Sequence, residues 1–160
     1  MKGVATTERT HDFMDLYRAW EALKPGPKAE LRRVNRPTDL LEVPAFYRLF
    51  SGRGNKEWEK QAYQRLIFCL PCMKGHTDQH VTLGAALAKV RDGGRPAVSE
   101  MRLFQVVRST APNDMVQLRR ILKMVEPTVN WPKAAETLWH WNDRSKRDML
   151  EQYFLSQTSN

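Results

Sequence analysis

Met101-Arg102-Leu103-Phe104-Gln105-Val106-Val107-Arg108 runs through Ser109-Thr110-Ala111-Pro112-Asn113 into Asp114-Met115-Val116-Gln117-Leu118-Arg119-Arg120-Ile121-Leu122. Apolar residues recur at helical spacing on either side of the turn: Leu103, Phe104 and Val107, then Met115, Leu118, Leu122 and Val125. That period predicts two short amphipathic helices, each with one face to bury. Ser99 with Glu100 starts the pair, and Asn113 or Asp114 caps its second member. The remaining positions are rich in cations: Arg102 and Arg108 on the first helix, Arg119, Arg120 and Lys123 on the second. A planar guanidinium forks onto phosphate oxygens and stacks on bases, so a basic face on packed helices suits a nucleic-acid backbone.

Outward from this pair the same period continues. Asp12 to Leu23 reads as a helix with Phe13, Leu16, Tyr17 and Trp20 as its stripe. Pro25-Gly26-Pro27 ends it, and Lys28 to Val34 follows. Pro37 and Pro44 open two short segments, and Ser51 to Asn55 is a turn. Lys56 to Leu70 is the longest helix of this half, and Pro71 to His80 is a loop. Thr82 caps a helix from Leu83 to Arg91, whose Gly84, Ala85, Ala86 and Ala88 permit close approach. Gly93-Gly94-Arg95-Pro96 is the strongest boundary, since paired glycines and a proline cannot continue a helix. Asn130 caps a helix beginning Trp131-Pro132, and Asp143 to Leu155 forms the last. The expectation is an all-α protein of about eight helices in two small lobes, 1–92 and 97–160.

Charge is spread evenly. Residues 1–80 carry 14 Lys and Arg against 10 Asp and Glu, and residues 81–160 carry 12 against 8. An evenly basic surface favours an extended polyanion over a local anion pocket. Around Arg102, Arg108, Arg119, Arg120 and Lys123 only Glu100, Asp114 and Glu126 offer neutralisation. Arg144, Lys146 and Arg147 open the last helix, where its dipole disfavours cations. Cations held at such a cost suggest a bound polyanion.

Other classes are disfavoured. No apolar run approaches a bilayer span and Met1 to His11 has no signal-peptide core, so a cytoplasmic protein without membrane contact is expected. Cys69, Cys72, His76 and His80 have the ligand types of a zinc site, but three residues between Cys72 and His76 are too few to fold back around an ion. Cys69-Leu70-Pro71-Cys72 lies at a helix C-terminus, the wrong end for a redox thiolate. No nucleophile elbow, phosphate loop or carboxylate pair appears. Neither catalysis, metal nor cofactor is expected. Trp20 and Trp131 read as core. Trp58, among Lys56, Glu57, Glu59 and Lys60, reads as partly exposed. Trp139 and Trp141 cannot share a helix face, and one is a candidate for a subunit interface.

The arginine-rich pair resembles a known family when it is taken with five further blocks. These are Leu16-Tyr17-Arg18-Ala19-Trp20, Pro44 to Leu49, Arg65 to Leu70, Leu83 to Ala88, and Glu126-Pro127 to Trp131-Pro132. In that order they resemble the CasB family, the small subunits of the type I-E CRISPR Cascade complex in antiviral defence. The resemblance implies a non-catalytic nucleic-acid-binding subunit, present as two copies head to tail, bound to the other Cascade subunits and the CRISPR RNA they hold. It implies a basic surface that supports the target and displaced DNA strands of the R-loop. Arg102, Arg108, Arg119, Arg120, Arg144 and Arg147 carry over best. Near Trp58 the family's basic side chain is replaced by Arg53, Lys56 or Lys60, and the Met73–His80 loop has no counterpart. The alternative reading is a helix-turn-helix regulator, with Asp114 to Val125 as recognition helix and Gln117 and Arg120 as base readers.

Overall fold

The structure, a computed structural model, describes residues 11–90 and 93–158. Helix α1 (Phe13–Ala22) is capped by Asp12, whose carboxylate accepts the Asp15 N–H at 2.9 Å. Pro25 does not close α1 but opens α2 (Pro25–Arg33), because the first turn of a helix has no use for the N–H that proline lacks. A 3-10 helix (Pro37–Glu42) and α3 (Pro44–Phe50) likewise begin on proline. In α4 (Glu57–Cys69) the Glu59 carboxylate accepts the N–H groups of Asn55 and Lys56, both at 3.1 Å. Helix α4 runs through the core and buries Ala62, Tyr63, Leu66, Ile67, Phe68 and Cys69.

The segment read as a loop, Pro71 to His80, holds more order than its composition suggests. A 3-10 turn (Leu70–Cys72) leads to β1 (Gly75–His76), which pairs in parallel with β2 (Thr128–Val129). Two-residue strands from distant segments leave no periodicity to read. Helix α5 (Leu83–Leu87) is shorter than expected. The chain then doubles back through a bridge between Val90 and Pro96, with the Val98 N–H donating to the Leu87 carbonyl at 3.2 Å. Gly93 and Gly94 supply the left-handed backbone for that reversal, at φ 90° and 76°. The expected helix end at Arg91, and residues 1–10 of the Met1 to His11 stretch that lacks a signal-peptide core, lie outside the described residues.

Helices α6 (Glu100–Arg108), α7 (Asn113–Val125), α8 (Trp131–His140) and α9 (Asp143–Thr158) complete an all-α architecture with one minimal sheet. Buried side chains form one cluster across the Gly93–Pro96 turn, from Leu16 and Phe68 to Val98, Leu122 and Tyr153. Helix α5 meets α9 so closely that a Cβ on Gly84 would overlap the Met149 carbonyl oxygen. The small residues of α5 do permit close approach. Among the described residues no helix is long and apolar enough to cross a membrane.

Candidate nucleic-acid interface

Helices α6 and α7 pack against each other and leave a groove between them. The Ser99 hydroxyl caps α6 by accepting the Arg102 N–H at 3.3 Å. Leu103 and Val106 of α6, with Met115, Leu118, Ile121 and Leu122 of α7, turn inward and fix the two axes. The groove encloses about 990 Å³, and Arg102, Arg108, Arg120, Gln105, Gln117 and Phe104 line it. All three arginines are exposed. The Arg108 guanidinium lies 4.7 Å over the Phe104 ring, a cation–π contact that positions it in the groove. Arg102 reaches across to Met124, with Nη1 3.9 Å from Sδ. Three of the cations expected from sequence therefore meet on one face, interleaved with amide donors and acceptors.

Of the acids that flank these cations in the sequence, Asp114 is withdrawn. Asp114 is 3% exposed, with Oδ2 2.8 Å from Lys146 Nζ and accepting the Trp141 indole N–H at 3.0 Å. Its Oδ1 accepts the Met115 N–H at 2.7 Å. The expectation that Asn113 or Asp114 caps α7 is corrected: Pro112 occupies the cap position and Asp114 faces inward. Lys146 is corrected as well. It is buried, donates to the Ser109 carbonyl at 3.1 Å, and ties α9 to the α6–α7 turn. Its neighbours Arg144 and Arg147 stay exposed.

Arg119 is the main correction among the candidate contacts. It is 3% exposed and donates to the carbonyls of Val34, Leu31 and Arg32, with its guanidinium over the Phe68 ring. Those carbonyls end α2, where a helix leaves acceptors unfilled. Arg119 is thus a tie between α7 and α2, with its guanidinium turned away from the groove surface. Arg53 is also turned inward: Nε donates to the Leu49 carbonyl and Nη1 pairs with Asp15 at 2.8 Å. Lys56 and Lys123 are exposed but do not line the groove.

Arg65 was missed by sequence reasoning. It donates to the carbonyls of Leu138 and Trp139 and closes the end of α8, as Arg119 closes α2. Its only signal was a cation directly preceding the apolar run Leu66 to Leu70.

Cys69 is fully buried with its sulfur 3.5 Å from that of Met115, and burial pushes its thiol far up from the ordinary range. Burial raises Cys72 also. His76 accepts the Trp131 N–H on Nδ1 at 3.0 Å and contacts Asp78 through Nε2 at 2.8 Å, while His80 is exposed. Among the described residues no three His, Cys, Asp or Glu side chains converge to hold a metal. Trp58 is 54% exposed, its ring edge-on to Trp139 at 5.7 Å. Trp139 itself is buried against His11 and Tyr63, and Trp141 is half-buried.

A sequence model of the CRISPR-associated protein Cse2 family matches residues 27–154. The chain is 40% identical to the CRISPR system Cascade subunit CasB of Escherichia coli, over 93% of its own length and 96% of that protein's. Among solved structures it is similar to a chain in the crystal structure of E. coli Cascade bound to a PAM-containing dsDNA target. The TM-score is 0.85 and the identity 39%, covering 94% of this chain and 99% of the other.

Proposed function

This chain belongs to the CRISPR-associated protein Cse2 family, and from that premise we propose that it is the small subunit of a type I-E Cascade complex. It is a non-catalytic cytoplasmic component of antiviral defence. Two copies lie head to tail beside the subunits that hold the CRISPR RNA. Its basic surface supports the target and displaced DNA strands once the R-loop opens.

The observation that carries this reading is the convergence of Arg102, Arg108 and Arg120 on one groove while Asp114 is spent on Lys146. Uncompensated guanidinium groups at a concave face attract phosphate and release counterions on binding. Opening a DNA duplex onto a guide RNA is nearly balanced in free energy, so a few backbone contacts shift it. The guide reads sequence, and the subunit needs only phosphate contacts. Arg144, Arg147, Lys123 and Lys56 extend the basic surface beyond the groove. The regulator alternative fits less well, because Gln117 and Arg120 face the groove shared with α6 and do not project freely for a major groove.

The test is reconstitution with tagged Cascade subunits and CRISPR RNA. The chain should co-purify in a defined complex, and complexes lacking it should form shorter-lived R-loops. Failure to co-purify, or equal R-loop lifetimes with and without it, contradicts the reading.

A further inference from the structure

A second groove, about 1010 Å³, lies between α5 and the corner that leads from α7 into β2. Its chemistry differs from that of the arginine groove. Small aliphatic side chains form the floor, including Ala85, Ala88, Ala97 and Val125. Among the described residues neither arginine nor Phe, Tyr or Trp lines it. The described walls therefore offer neither guanidinium forks nor base-stacking platforms, which single-stranded nucleic acid favours.

Three further features point to one kind of occupant. Val90 on the rim is 46% exposed, an apolar side chain left in water. Among the described lining residues the charge is one-sided, with Lys74 and Lys89 exposed beside His80 and Glu126 the one acid opposing them. The third is backbone. The Pro127 and Val129 carbonyls receive the N–H groups of Lys74 and Thr77 at 2.8 and 2.9 Å. Strand groups alternate in direction, so Thr128, which lines the groove, directs its own N–H and carbonyl away from β1, on the side where the Asn130 N–H already donates to the Val81 carbonyl at 2.8 Å. An extended chain laid there would gain main-chain bonds at that edge and set alternate side chains into the aliphatic floor.

We propose that this groove docks an extended acidic segment of a partner protein, with small apolar side chains on the alanine floor and carboxylates on Lys74 and Lys89. The Met73–His80 loop, which the nucleic-acid reading leaves without a role, supplies one wall.

The test uses the full-length chain, labelled with nitrogen-15, and a probe peptide of sequence acetyl-Asp-Val-Glu-Val-Asp-amide, with acetyl-Lys-Val-Lys-Val-Lys-amide as its opposite. The acidic probe should move the amide signals of Val81, Lys89, Val90 and Thr128 saturably and leave those of Arg102, Gln105 and Arg120 in place. The variant Lys74→Glu/Lys89→Glu should weaken binding about tenfold by charge reversal. The variant Ala85→Leu, which fills the floor and keeps the charge, should weaken it independently. Absence of saturable shifts, equal binding of the basic peptide, or tighter occupation of the same amides by oligo-thymidylate overturns the proposal. The arginine-groove signals are separate reporters, so failure here leaves the nucleic-acid reading to its own test.

Discussion

The Arg119 guanidinium lies 4.4 Å from the centre of the Phe68 ring and donates to three carbonyls at the end of α2. Arg120, the next residue, is exposed in the groove. The two should separate cleanly on substitution. Arg119→Ala leaves buried carbonyls without donors and should cost about 2–4 kcal/mol of stability. Arg120→Ala should stay within about 0.5 kcal/mol, as surface changes do, and weaken nucleic-acid binding instead. Urea denaturation beside a DNA titration reads both. Equal stability loss in the two variants contradicts the assignment.

Lys146 and Asp114 form a buried pair at 2.8 Å. Breaking it from one side should be costly, because the surviving charge is left desolvated. Lys146→Met alone should lose about 3 kcal/mol, and adding Asp114→Asn should restore part of that loss. A double-mutant cycle by denaturation checks it. Additive losses would show that the pair is not coupled.

Gly84 is fixed by proximity and not by backbone angle. A Cβ there would lie 2.7 Å from the Gln152 Cβ and overlap the Met149 carbonyl oxygen. Gly84→Ala should therefore push α5 off α9 and destabilise by about 1–3 kcal/mol, despite alanine's better helix propensity. A raised melting temperature would contradict the packing described.

Tyr63 ties alkaline pH to stability. Burial pushes its phenol from the usual 10 up to about 12. The folded value lies above the unfolded one, so the stabilisation is complete below pH 10 and is lost as pH rises through 12. Tyr63→Phe should flatten the decline in stability between pH 10 and 12. An unchanged slope would place the effect elsewhere.

Much of the fold was legible because its helices advertise themselves by period and punctuation. Thr82, Ser99 and Asn130 cap as their positions suggest, and Asp12, read as the first helical residue, caps as well. Pro25 misled, because a proline after an apolar stripe is equally good as an ending or a beginning. The β1–β2 pair was invisible, being a tertiary contact and not a local preference.

The candidate site was half legible. Arg102, Arg108 and Arg120 meet in the groove, but charge alone did not tell them from Arg119. Spacing holds the missed signal: Arg119 follows Met115 by four residues and precedes Leu122 by three, which places it on the buried stripe. Arginine tolerates that face because its fork satisfies several helix-end carbonyls at once. Lys146 was grouped with Arg144 and Arg147 as an unpaired cation because its partner Asp114 lies on another helix.

The most direct test of the central claim is the salt dependence of DNA binding by the variant Arg102→Ala/Arg108→Ala/Arg120→Ala. Its melting temperature should match the parent's. Its affinity should fall, and its slope of log affinity against log salt should be shallower by about 2–3 phosphate contacts. A folded variant with the parent's affinity and slope would show that this groove is only a solvated face and that nucleic acid binds elsewhere.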